Sequence, residues 1–363
     1  MDLTAPVWGD INSDGFVDLY VGSFPSLDEQ NHPVLYVSQG PLSYTEEAQS
    51  RGIDFNENGQ SHLWFDWEDD GDLDLFIGVF FSETPNLEDR IYANDGDGYF
   101  SWASTAFDPS SEITTSLHLA DFDLDGDLDI LAVHRDVESA VWCSDNGGFV
   151  NISESLNLNM PPRVIFDEYN DRKLATTVGD FDNDMDPDVF VAQWNAVLGY
   201  EPSNELWLNE GGVYVDRTLE AGLDQAVNSW FCSSADLNGD GFLDIYVVND
   251  NGFGSRDTLW LNDGNGNHWL EIVPRGVISN LDGIGLRAWV TAGGVTQVQE
   301  LYSSPSLPLR LHFGLASNEV VDEVVLRWPS GLLESYEDIA ADQVFQPWEG
   351  GAFSWTGQGV YYR

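Results

Sequence analysis

Positive charge is scarce in this chain. Lys and Arg together number 13 against 63 Asp and Glu, for a formal net charge of −50 over 363 residues. That balance excludes nucleic acid and anionic membrane as partners, since both would repel it. Cysteine is nearly missing, with only Cys143 and Cys232 present. A disulfide framework is therefore ruled out, and two free buried thiols are expected. No apolar run approaches the ~20 residues of a membrane span. Helical periodicity is almost absent. No export-type segment precedes the first acidic loop, which leaves two expectations: a leader that has been removed, or an intracellular chain. G-x-S-x-G, H-E-x-x-H and P-loop patterns are missing, so common hydrolase and nucleotide chemistries lack support.

What the chain does hold is an acidic loop repeated five times. The fifth copy reads Asp236-Leu-Asn-Gly-Asp-Gly-Phe-Leu-Asp244 and runs into Ile245-Tyr-Val-Val. Equivalent loops start at Asp10, Asp66, Asp121 and Asp180. A period of about 55 residues marks a repeat architecture. Oxygen side chains fall on alternate positions, and hard oxygens aimed at one point suit Ca²⁺. The candidate ligands are Asp10, Asn12, Asp14 and Asp18 in the first loop and Asp66, Glu68, Asp70, Asp72 and Asp74 in the second. The third offers Asp121, Asp123, Asp125, Asp127 and Asp129, and the fourth Asp180, Asp182, Asp184, Asp186 and Asp188. The fifth offers Asp236, Asn238, Asp240 and Asp244. About five ions are expected, one per loop. An EF-hand would need a Glu at position 12, where this chain has Val21, Ile77, Ala132, Val191 and Val247. The loops thus read as β-hairpin turns. Without ion, Asp/Asn/Gly-rich turns are a plain alternative, but clusters of like charge repel themselves unless cations neutralise them. In the fourth loop Met185 replaces the position-6 glycine and Pro187 follows. That site is expected to be weak or distorted.

Each loop sits between a short strand and an apolar run, and a third strand ends in a turn such as Ile91-Tyr-Ala-Asn-Asp-Gly or Leu259-Trp-Leu-Asn-Asp-Gly. A fourth strand often begins with an aromatic, as at Tyr99-Phe100, Phe149 and Tyr214. Four short strands per repeat predict an all-β protein built as a β-propeller. From His268 the acidic loops stop, and the remaining strands either complete a propeller of seven blades or form a small β-sandwich beside fewer blades. Seven blades is the favoured expectation. The tail Gly351-Ala-Phe-Ser-Trp resembles Tyr99-Phe-Ser-Trp, so it is expected to pair near the N-terminal strands and close the ring.

The loops resemble FG-GAP/VCBS-type propeller repeats, also seen in integrin α-subunit heads. Residues 268–363 look like an ASPIC/UnbV domain through Asn267-His-Trp-Leu, Ser279-Asn-Leu-Asp-Gly-Ile-Gly, His312-Phe-Gly-Leu and Trp328-Pro-Ser-Gly. Together, with residues 1–267 as the repeats, these features resemble the cartilage acidic protein family. The resemblance implies a calcium-loaded propeller, extracellular or periplasmic, that binds or adheres to a protein or glycan. It also admits a calcium-dependent enzyme of specialised-metabolite biosynthesis, a cyclase or isomerase acting on a small molecule at the channel mouth.

Loops beyond the second strands form one shared face of a propeller, and function concentrates on such loops. Gln193, Trp194, Asn249 and Asp250 are the ligand candidates there. Acid–base candidates are His118, His134 and Arg135, though a lone strand histidine is more often structural. Arg287, Arg310 and Arg327 stand out in so acidic a chain and are expected to pair with local carboxylates.

Overall fold

A computed structural model describes residues 2–24, 32–54, 59–79, 89–103, 113–135, 137–145, 148–161, 164–166, 169–170, 172–194, 203–225, 228–249, 256–351, 355–356 and 359–360. The fold is all-β. Each acidic loop is the turn of an antiparallel hairpin, as its Asp/Gly content dictates. Strands Asp2–Gly9, Asp18–Phe24, Val34–Ser38 and Tyr44–Glu46 form the first sheet in simple consecutive order. The second (Gly59–Phe65 to Phe100–Ala103), third (Thr114–Ala120 to Gly148–Asn151) and fourth (Arg172–Gly179 to Tyr214–Asp216) repeat that meander. The fifth has three strands among the described residues: Ser229–Ala235, Asp244–Asn249 and Thr258–Trp260.

Strand alternation explains how the sheets stack. Successive side chains point to opposite faces, so a sheet buried on both sides needs apolar residues at every position. In Asp74–Val79, Leu75 and Ile77 enter a core shared with Val7, Tyr20 and Leu35 of the first sheet. Phe76, between them, enters the next core with Leu117 and Ile130 of the third. Val189 and Val191 likewise face the third sheet, while Phe190 faces Ile245 and Val247 of the fifth. Four inter-sheet cores thus join five sheets in series. Among the described residues no core cluster joins the fifth sheet to the first.

The C-terminal strands do not add two more meanders, and the expectation of seven blades is corrected on that point. His268–Ile272 pairs antiparallel with Leu311–Ala316 and parallel with Gln343–Phe345. Arg287–Ala292 lies between Val295–Glu300 and Val320–Arg327, with Leu333–Ala340 at the edge. Leu270, Ile272 and Phe313 of the first sheet meet Val290, Val324 and Leu326 of the second in one core. Two sheets closed over a common core make a sandwich. The tail segment expected to close the ring lies in part, at residues 352–354, outside the described residues; among the described ones Trp355–Thr356 pairs with Gly359–Val360, in a two-stranded sheet separate from the N-terminal strand. Neither cysteine is in a disulfide; Cys232 is buried and Cys143 half-buried.

The sandwich rests on the loop end of the repeats. Trp269 covers Gly241 so closely that a Cβ there would lie 1.8 Å from its Nε1. The Ala316 N–H donates to the Asn183 carbonyl at 2.7 Å. Arg327 donates to Asp66 and Asp69, both at 2.7 Å, and Arg287 to Asp69 at 2.9 Å and Glu300 at 2.8 Å. Of these cations, Arg310 pairs within the sandwich, with Glu271 at 3.0 Å. Arg327 reaches across to the second loop, which local pairing did not anticipate. Between the two units, residues 302–308 thread inward. Tyr302 packs in the core of the second and third sheets, and the Ser306 carbonyl accepts from the Ser234 N–H and the Thr177 hydroxyl.

Candidate metal loops and ligand-facing residues

The five loops share one hydrogen-bond scheme. The position-1 carboxylate accepts the N–H groups of positions 5 and 6: Asp10 from Asp14 and Gly15, at 3.0 and 2.9 Å, and Asp180 from Asp184 and Met185, at 3.0 and 2.8 Å. The position-9 carboxylate accepts the N–H of position 2 and, in every loop but the third, one from the end of the third strand; Asp129 takes only the Phe122 N–H. Asp74 takes Trp67 and Asn94, and Asp244 takes Leu237 and Asn262. Positions 4 and 6 are left-handed throughout. Position 4 is Ser13, Asp69, Leu124, Asn183 or Gly239, and position 6 is Gly15, Gly71, Gly126, Met185 or Gly241. Met185 at φ +86° copies its glycine counterparts, so the fourth loop is not distorted, contrary to expectation. Its side chain explains the exception, because it enters the sandwich core.

With positions 1 and 9 holding the turn, the oxygens left over lie at positions 3 and 7, joined in the third loop by Asp129 Oδ1 at position 9. Asn12 Oδ1, Asp72 Oδ1, Asp182 Oδ1 and Asp186 Oδ1 are buried with no hydrogen-bond partner. An unpaired buried oxygen is costly unless something positive meets it. Asp121, Asp123 and Asp129 hold ligand oxygens within 4.8 Å of one another, as do Asp180, Asp182 and Asp188. Burial, then mutual repulsion, pushes the carboxyls up: Asp182 to about 6, Asp72 to about 7, Asp186 to about 9. Burial pushes Asp18 to about 7 and Asp74 to about 8, against the backbone N–H groups they accept, and burial with the Asp123 charge pushes Asp129 to about 8. In the third loop Cys143 Sγ also lies within 4.8 Å of Asp123 and Asp125 oxygens; the other donors are close-set oxygens, which fit a hard divalent cation.

Sequence reasoning missed the asparagines that stitch neighbouring repeats. Asn94 Nδ2 donates to the Ile11 carbonyl at 2.8 Å and the Leu73 carbonyl at 3.0 Å. Asn262 Nδ2 donates to Phe181 at 2.7 Å and Leu243 at 3.2 Å. Each ties position 2 of the preceding loop to position 8 of its own. The recurring Asn after the third strand was the available signal.

The acid–base candidates are not brought together. His118 is fully buried, its Nδ1 3.4 Å from the Tyr302 hydroxyl beneath the 302–308 segment. Burial pushes its imidazole down to about 4, against a bond to the Thr176 backbone. His134 pairs across the hairpin with Thr114, while His118 pairs with Leu131. The His134 Nδ1 is 2.8 Å from the Glu138 carbonyl. The backbone of Arg135 bonds to Ile113 and Lys173.

The ligand candidates lie at the sheet ends opposite the acidic loops. The Trp194 ring packs against Trp230 with centroids 5.5 Å apart and planes tilted by 48°; Trp230 is 48 % exposed, and the Arg172 guanidinium lies 5.5 Å from the Trp194 ring. Gln193 beside it is buried with Oε1 unpaired. Asn249 is instead consumed internally, bonded to Ser229, Arg256 and Thr258. Asp250 lies outside the described residues.

Comparison with known proteins follows this division. The FG-GAP-like repeat family matches residues 66–132 and 180–247. The ASPIC and UnbV family matches residues 276–351. The chain carries FG-GAP-like repeats and an ASPIC/UnbV domain. No curated protein matches. Among solved structures it is similar to BBS1N in complex with ARL6DN, soaked with lead, at 10 % identity, 93 % of each chain and TM-score 0.38. Sucrose-6-phosphate hydrolase from Lactobacillus gasseri aligns at 12 % identity, over 93 % of this chain and 86 % of that one, with TM-score 0.35. Exo-beta-1,3-galactanase from Phanerochaete chrysosporium aligns at 10 % identity, over 93 % and 75 %, with TM-score 0.31. Among the described residues no helix is long and apolar enough to cross a membrane.

Proposed function

We propose that this chain is a calcium-binding, propeller-like module whose metal-loaded loops hold a rigid scaffold for ligand recognition. The observation that carries it is the set of unpaired buried oxygens at positions 3 and 7, in a chain of net charge −50. Ca²⁺ would be held by positions 1, 3, 5 and 9, with Asp72, Asp127 and Asp186 adding carboxylates at position 7. The ion supplies charge neutralisation. The loop residues orient the hairpins, and the Asp at position 9 carries that order to the third strand. Chelation with EGTA should lower the melting temperature by ten degrees or so, on the order of several kcal/mol lost. An unchanged melting curve would sink this reading.

The ligand we assign to this module is a glycan, and its platform is Trp194 and Trp230. Flat aromatic faces next to polar groups suit sugar rings, and the tilted tryptophan pair with Gln193 offers both. An extracellular or periplasmic setting accords with calcium-filled loops. Retention on a glycan array should vanish in Trp230→Ala with the melting curve unchanged. Equal retention by that variant would remove the platform.

A further inference from the structure

A cavity of about 160 Å³ lies where the sandwich meets the loop ends of the third, fourth and fifth sheets. Its walls are largely apolar, including Val178, Leu243 and Val298. Glu271, Glu300 and His312 also line it, and each is more than nine-tenths buried.

Alternation sends two of these side chains out of the sandwich core. Leu270 and Ile272 fill that core, so Glu271 between them faces the loops; His312, between Leu311 and Phe313, does the same. Glu271 and His312 are direct cross-strand partners. Such pairs share a face of the sheet.

Each of the three groups has one atom used and one left over. Arg310 donates to Glu271 Oε2, and Oε1 has no partner. Arg287 donates twice to Glu300 Oε2, and Oε1 has no partner. Asn183 Nδ2 donates to the Gly241 carbonyl, which leaves Asn183 Oδ1 as the acceptor facing His312 Nε2 at 2.9 Å. Nε2 therefore carries the proton, and the unpartnered Nδ1 is a bare acceptor. All three leftover atoms accept, and none donates. Asp121, Asp180 and Asp186 of the third and fourth loops also line the cavity, and Asp186 Oδ1 is unpartnered too. Glu271 and Glu300 are each matched by an arginine, and on the calcium reading above the loop carboxylates are matched by the ion, so the site calls for donors without a net charge.

From this geometry we propose that the junction cavity binds a small neutral molecule with an apolar ring-sized body and hydroxyl groups that donate to Glu271, Glu300 and His312. An apolar cavity of about 150 Å³ holds a single six-membered ring, which bounds the ligand. This site is distinct from the Trp194–Trp230 platform and adjoins the third and fourth loops, whose Asp121, Asp180 and Asp186 form part of its wall.

The test uses trans-1,2-cyclohexanediol as the probe, with cyclohexylamine and methylcyclohexane as comparisons, read by saturation-transfer NMR on the full chain. Saturable diol binding is expected, with Glu271→Gln weakening it about tenfold by removing one charge-assisted acceptor. Val298→Trp, or Val298→Phe where the larger residue does not fold, should abolish it. No saturable binding by the folded protein, or equal binding by the filled-cavity variant, overturns the proposal. Tighter binding of the amine than the diol overturns the neutral assignment. Running each titration with calcium and with EGTA keeps the two readings apart. Diol binding without any calcium effect on melting would sink the calcium reading alone; the reverse would sink this one alone.

Discussion

Replacing Met185 separates two roles that one position combines. Its backbone sits at φ +86°, where the other four loops have glycine. A Cβ there costs about 1 kcal/mol or more. Its side chain is 9 % exposed and packs in the sandwich core. Burying a Met contributes about 1.5–3 kcal/mol. Met185→Ala keeps the strain and loses the burial, a cost of about 2–3 kcal/mol. Met185→Gly loses the same burial but sheds the strain, so it should be more stable than the alanine variant by about 1 kcal/mol. That order reverses the usual glycine penalty. Amide exchange at Ala316 reports the effect directly, because its N–H is held by the Asn183 carbonyl across the junction. Exchange there should quicken roughly 30- to 150-fold in the alanine variant, and about fivefold less than that in the glycine variant. Unchanged exchange in both, or better protection with alanine, would refute the reasoning.

Three further outcomes follow from the same contacts. His118 is pushed down to about 4 from 6.5 by burial, so between those values the unfolded chain binds the extra proton. Its contribution is present above pH 6.5 and is lost as pH falls toward 4, up to roughly 3 kcal/mol; His118→Phe should melt with a smaller drop between pH 7.5 and 5, and an equal drop would discard this cause. Arg327→Ala leaves the buried Asp66 carboxylate with less compensation and should cost about 2 kcal/mol by urea unfolding, most of it from Asp66, since Asp69 is 67 % exposed. Gly241→Ala drives a Cβ into Trp269 and should unseat the sandwich, seen as proteolytic cleavage near residue 267 that the wild type resists.

The repeats were legible because their code is local. Alternate oxygens, a glycine at position 6 and an apolar run specify a hairpin wherever they occur, and the register of Asp66, Asp121 and Asp180 follows. The sandwich was not, because the strand pairing that defines it joins His268–Ile272 to Gln343–Phe345 across some seventy residues of chain. No local pattern separates such strands from those of two more blades. Met185 was misread for a related reason: the loop code asks for glycine, while its partners in the sandwich core lie more than eighty residues away. Arg327 looked like a local ion-pair residue until the docked sandwich placed it on Asp66. Hydrogen bonding also consumed Asn249 in a way its position in the chain did not reveal.

The most direct test is the metal content of the purified chain, by plasma mass spectrometry after gel filtration in trace calcium. About five calcium ions per chain are expected, falling by about one when Asp123 and Asp125 become Asn and Ala. A chain that stays folded with fewer than one bound ion would contradict the account.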